Sequence, residues 1–125
     1  MSSKTLKPQV DQRRGLVAVV IGEALRTFKF GLNTLVAFGQ LHNDSPLDFA
    51  AQFEKNPMLA LRDMAYCGLL ARAKDNNLPE DFSAETVGDW IDEMAQDAWF
   101  QVQGTMMEAM ALGNAARNST PEPKQ

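Results

Sequence analysis

Three side chains in this sequence are of the kinds that build catalytic or metal centres, and the spacing around each argues against such a role. His42 is the only histidine and Cys67 the only cysteine. Neither has a second nitrogen or sulfur donor at the short intervals that zinc sites use, so no metal centre is expected. Ser83 would need a histidine base to become a nucleophile. Its setting, Ser83-Ala84-Glu85-Thr86-Val87, reads instead as a helix start, with Ser83 as the cap and Glu85 favoured by the helix dipole. Gly31 and Gly39 stand alone, and no glycine-rich run is present to cradle a phosphate. The expectation is a protein without catalytic residues and without a cofactor.

Two further patterns point towards binding. Glu85, Asp89, Glu93 and Asp97 recur at every fourth position, which sets their carboxylates in one row along a helix. Each like-charge pair at this spacing costs about 0.2–0.5 kcal/mol, so a chain shaped by stability alone would interleave lysines. A basic partner explains the row, and so does a solvated acidic face. The second pattern is the run Trp99-Phe100-Gln101-Val102-Gln103-Gly104-Thr105-Met106-Met107-Glu108-Ala109-Met110. Methionine is unbranched and adaptable, and surfaces rich in it accept varied apolar partners. Adjacent Trp99 and Phe100 point about 100° apart on a helix, so one of them falls off the internal stripe. Trp99, Phe100, Met106, Met107 and Met110 are thus candidate partner contacts beside the acidic row. A terminal helix wrapped by its own domain is the competing reading.

Composition bounds the class. The chain has 125 residues and a net charge of −4, which suits one domain with a core large enough to need no staples. A single cysteine excludes an intrachain disulfide and suggests a reducing compartment; Cys67 itself, beside Ala65 and Gly68, reads as a buried small side chain. The apolar run Leu16 to Ile21 is too short for a membrane span or a signal-peptide core, and a cytoplasmic protein with no membrane contact is expected. Charge is strongly polarised. Residues 1–74 carry ten Lys or Arg against six Asp or Glu, whereas residues 75–116 carry nine acidic side chains and no basic one. Such a chain can associate head to tail as a homo-oligomer. The acidic pI of about 4.9 disfavours nucleic acid, despite Lys4, Lys7, Arg13 and Arg14 near the N-terminus.

The elements that must position these residues follow in order. Residues 1–12 are polar and are expected to form a mobile arm, residues 13–113 a single globular domain, and residues 114–125 a disordered tail. Leu16 to Ile21 and Leu25 to Phe30 read as two strands about a turn at Gly22, with Phe28 and Phe30 on one face and Thr27 and Lys29 on the other. Leu16, Val19, Val20 and Glu23 also fit a helix, but the β-branched run favours a strand. Leu32, Leu35, Val36 and Gly39 place a helix directly after the second strand. Ser45-Pro46 and Asn56-Pro57 each set a capping side chain before a proline at a first helical position. The second of these helices runs to about Lys74, where Asp75-Asn76-Asn77-Leu78-Pro79 ends it. From Ser83 a last helical stretch carries Val87, Trp90, Ile91, Met94 and Ala98 as its apolar stripe, with a break near Gly104 and a stop at Gly113. The fold expected is α+β, an N-terminal two-stranded antiparallel hairpin packed on a bundle of four or five α-helices, with Trp90 in the core near Phe30 and Leu69.

Three short segments in this order carry a family resemblance. They are Phe28-Lys29-Phe30-Gly31-Leu32-Asn33-Thr34-Leu35 at the strand-to-helix junction, Met64-Ala65-Tyr66-Cys67-Gly68-Leu69-Leu70 in a central helix, and Ser83-Ala84-Glu85-Thr86-Val87-Gly88-Asp89-Trp90-Ile91 opening a later one. Over roughly residues 16–98 the chain resembles the tail assembly chaperones of long-tailed bacteriophages. Phe30, Gly31, Leu32, Tyr66, Gly68, Leu69, Val87, Asp89 and Trp90 are the matching positions, and the family has no catalytic residues to transfer. The resemblance implies a non-enzymatic assembly factor that binds the tape measure protein, keeps it soluble, helps recruit tail tube subunits, works in the host cytoplasm and is absent from the mature virion. Relatives in that family also occur in a longer, frameshifted form. A tail-completion or connector component of the particle, or a small protein that binds a regulator, is the alternative.

Overall fold

Alternation of side chains along one short segment sets the N-terminal architecture. In the computed structural model, which describes residues 9–11, 14–42 and 49–118 and the side chains of these except 49–50 and 110–118, Leu16–Ile21 forms strand β2 and Ala24–Lys29 strand β3. They pair antiparallel, with Val17 opposite Phe28, Val19 opposite Arg26 and Ile21 opposite Ala24. Val17, Val19, Ile21, Arg26 and Phe28 are buried on one face, while Leu16, Ala18, Val20, Thr27 and Lys29 on the other remain partly exposed. The loop is two residues, Gly22 and Glu23, both at positive φ (63° and 67°), the backbone of a type I′ turn whose twist matches the paired strands. The hairpin is not alone. Gln9–Asp11 adds strand β1 on the free side of β2, giving a three-stranded antiparallel sheet in the order β1-β2-β3. The two-stranded expectation is therefore corrected to three strands, the third drawn from residues 9–11 of the expected arm. With all three β1 side chains exposed, no alternation marks the segment as a strand; its pairing is a backbone matter.

Six helices follow among the described residues: α1 Leu32–His42, α2 Phe49–Lys55, α3 Pro57–Leu70, α4 Ala73–Asn76, α5 Ala84–Glu93 and α6 Gln96–Asn118. Local signals place several of their ends. The Asn56 side chain accepts a hydrogen bond from the Leu59 N–H at 3.3 Å, with Pro57 at the first position of α3. Ser83 and Thr86 form a reciprocal capping box at the start of α5. Asn77, left-handed at φ 52°, ends α4. Before α1, the Thr34 hydroxyl donates to the Lys29 carbonyl at 2.6 Å and accepts from the Gly31 N–H at 3.2 Å, so the chain passes from strand to helix without a linker. The Ser45-Pro46 start lies outside the described residues.

Three boundaries depart from expectation. The stretch from Pro57 breaks at Ala71–Arg72, so α3 and α4 are separate. The last stretch breaks at Met94, whose backbone is extended (φ −84°, ψ 163°), and not near Gly104. It then continues through Gly113 to Asn118, taking in residues 114–118 of the expected tail; residues 119–125 lie outside the description. The break lets α6 leave the line of α5 and pack on β1 and β2.

The core lies between the sheet and helices α1, α3 and α6. Phe28 and Phe30 stack at 5.7 Å among Leu35, Phe38, Met64, Leu69, Val87, Val102 and Met106, all buried. On α1 the inward face is Thr34, Leu35, Phe38 and Gly39, while Leu32 and Val36 of the expected stripe face outward. Trp90 is also corrected. It is only partly buried, and its ring covers the Gly22 turn, the Arg26 guanidinium at 4.5 Å and Phe82 at 5.5 Å instead of filling the core with Phe30 and Leu69. Beneath Trp90, Arg26 donates to the carbonyls of Ile21, Gly22, Asn76 and Asn77, tying the turn to the end of α4. Its burial lowers its pKa from the ordinary value. No helix among the described residues is long and apolar enough to cross a membrane.

Candidate functional site

One buried acidic residue, Asp63, contacts the single histidine and acts through its charge on the single cysteine. His42 is the last residue of α1. Its Nε2 lies 2.9 Å from Oδ2 of buried Asp63, an ionic contact when the ring is protonated, although the nitrogen has no aligned hydrogen-bond partner. Arg62 donates to the other carboxylate oxygen through Nε (2.9 Å), and its Nη2 lies 2.8 Å from the same oxygen in an ion pair. One turn further along α3, Cys67 is buried, and its pKa is pushed up to about 12 by that burial and then by the Asp63 charge. A thiol held protonated in this way is a poor nucleophile. No group of three or more His, Cys, Asp or Glu among the described residues is placed to hold a metal. This cluster joins α1 to α3.

The surface offers more. Helices α3, α5 and α6 enclose an open groove of about 370 Å³, lined by Met58, Leu61 and Arg62 of α3, Glu85, Gly88, Asp89, Ile91 and Asp92 of α5, and Trp99 of α6. The capping box fixes where α5 begins and therefore which of its side chains meet α3. A Cβ at Gly88 would lie 3.4 Å from Cδ of Arg62, an ordinary contact, so the position faces α3 without being crowded by it. Met58 stands 75% exposed at the start of α3. Glu85, Asp89 and Asp92 are in no ion pair among the described residues, and the one cation lining the groove, Arg62, is already engaged by Asp63.

The sequence-derived contact residues divide on α6. Ala98, Val102, Thr105 and Met106 form its inward face, and Met106 is 0% exposed, so Met106 belongs to the core and is corrected as a partner contact. Trp99 is partly buried in the groove wall. Phe100 (58% exposed) and Met107 (38% exposed) stand on the outside, with Gly104 between them and nothing within 4 Å of where its Cβ would be. The side chain of Met110 lies outside the described residues. The acidic row is interrupted as well. Glu85, Asp89 and Glu93 share α5, but Asp97 falls beyond the Met94 break, in the first turn of α6. Asp92, three positions after Asp89, joins the groove rim in its place. Met58, Leu61, Arg62, Gly88, Ile91 and Asp92 carry no local sign of a site in the sequence, because they meet only across helices.

No protein-family model, curated protein or solved structure matches the chain.

Proposed function

We propose that this protein is a non-enzymatic tail assembly chaperone of a long-tailed bacteriophage, binding the tape measure protein in the host cytoplasm and helping to recruit tail tube subunits. The family resemblance of the sequence supplies the class. The observation that carries it is the outer face of α6, where Phe100, Gly104 and Met107 recur at i, i+4 and i+7 with both large side chains in solvent. Large apolar groups recurring at helical spacing on an exposed face mark a contact for another chain. Trp99, turned into the neighbouring groove, extends the same apolar surface. A tape measure protein is long, helical and apolar along one stripe before assembly, and contacts of this kind would keep it from aggregating.

Co-expression tests this reading. The tape measure protein of the same genome should remain soluble and co-purify with the parent chain, and the double variant Phe100→Ser/Met107→Ser should lose it to the insoluble fraction. Both positions are exposed, so the variant should still fold. A client that stays insoluble beside the parent sinks the proposal. Stoichiometric presence of this protein in mature virions would favour the tail-completion or connector alternative instead.

A further inference from the structure

The groove between α3, α5 and α6 is apolar at its floor and acidic at its rim. Leu61, Ile91 and Trp99 supply the floor, with exposed Met58 at its edge; Glu85, Asp89 and Asp92 supply the rim. These carboxylates stand at i, i+4 and i+7 of one helix, a row of about 10 Å at 1.5 Å per residue. A second helix lying along α5 repeats at the same rise and can meet all three. An extended strand, at roughly 3.3 Å per residue, runs out of phase with them. With Arg62 committed to Asp63, the rim presents uncompensated negative charge to whatever enters.

We propose that this groove takes one amphipathic helix of a partner protein, with a bulky aliphatic side chain seated on Ile91 and Trp99 and Lys or Arg at i, i+4 and i+7 against Glu85, Asp89 and Asp92. Burial of the aliphatic group provides most of the affinity, and the charges select the partner and its register. The inference rests on the reading of this chain as a binder of helical clients, but its residues, on α3 and α5 with Trp99 of α6, are distinct from Phe100 and Met107.

Fluorescence anisotropy with synthetic helical peptides tests it. The probe peptide carries leucines flanked by lysines at i, i+4 and i+7; one comparison peptide has glutamate for each lysine, another serine for each leucine. The parent protein should bind the probe at least about tenfold more tightly than either comparison, a difference of about 1.4 kcal/mol. Affinity should fall as salt rises to roughly 0.15 M. Glu85→Gln/Asp89→Asn/Asp92→Asn should weaken the probe about tenfold and remove most of the salt dependence. Gly88→Leu, which fills the groove, should abolish binding while circular dichroism remains that of the parent. Should Gly88→Leu lose its fold, Met58→Ser at an exposed position reads the apolar contribution and should weaken binding severalfold. Equal binding of the glutamate peptide, or unchanged binding by these variants, overturns the proposal. So does a dimer of the free protein that the triple variant dissolves, which would assign the groove to a second copy. Probe binding beside an insoluble tape measure protein overturns the client and leaves the groove; a soluble client with no probe binding overturns the groove and leaves the client.

Discussion

Phe30 lies directly on Gly68. A Cβ at residue 68 would come 2.7 Å from Cε1 of the Phe30 ring, closer than two carbon atoms can pack, so the junction after β3 and the middle of α3 meet only because residue 68 has no side chain. Gly68→Ala is expected to destabilise the protein by about 1–3 kcal/mol through overpacking. Urea denaturation measures it, and Phe30→Leu combined with Gly68→Ala should recover part of the loss. Two additive penalties would mean that ring and glycine do not press on each other.

Asp63 holds Arg62 and His42 at the α1–α3 contact. Asp63→Ala is expected to cost about 3 kcal/mol, since it leaves the half-buried Arg62 guanidinium without its buried counter-charge. Asp63→Asn, which keeps an acceptor, should cost less. A midpoint in urea unchanged by Asp63→Ala would show that the cluster contributes nothing to stability.

Cys67 is the clearest case of pH dependence. Its folded pKa, about 12, stands above the ordinary thiol value of roughly 8.5. The preference for the protonated thiol is therefore intact below about pH 8.5 and is lost as pH rises towards 12, by up to about 1.4 kcal/mol per pH unit. Denaturation curves from neutral to alkaline pH should show this fall, and Cys67→Ala should flatten it. At pH 8 the thiol should react with a disulfide reagent only as fast as the protein opens; immediate reaction of the folded protein would contradict its burial.

Glu23 adopts a left-handed backbone at φ 67° with its side chain exposed. That conformation costs an L-residue about 1–2 kcal/mol, and glycine avoids most of it while adding some unfolded-state entropy. Glu23→Gly is expected to raise stability by about 0.5–1 kcal/mol, seen as a higher Tm. A lower Tm would place an unrecognised contact on the Glu23 side chain.

Trp90 covers the hairpin turn and Arg26. Trp90→Ala should cost about 2 kcal/mol, below the 3–5 kcal/mol of a fully buried large aromatic. Part of this is the cation–π contact, so Arg26→Met, which removes the charge, should make the loss of Trp90 less costly. Penalties that simply add would remove the ring-to-guanidinium contact from the account.

The sequence by itself determined the features written in neighbouring residues. The β-branched run Leu16–Ile21 marked a strand, the alternation of Thr27 and Lys29 with Phe28 and Phe30 marked the faces of the next, the side chains of Asn56 and Ser83 marked helix starts, and the run from Asp75 to Pro79 marked a stop, because strand pleat and capping bonds involve residues a few positions apart. Tertiary structure decided what depends on distant partners. Glu93-Met94-Ala95-Gln96 contains no glycine or proline and reads as continuous helix; the chain breaks there, and α6 packs on the sheet, burying Ala98, Val102 and Met106. That break resets the rotation of α6, and at about 100° per residue a small reset decides that Met106 goes inside and Met107 outside. It also removes Asp97 from the acidic row of α5. The groove brings residues 58–62 against residues 85–99, and Asn76 bonds both the N–H and the C=O of Thr27 across 49 residues of chain. Contacts of that range leave no periodic trace in a single sequence, because their spacing is set by how helices and sheet pack and not by the local geometry of the chain.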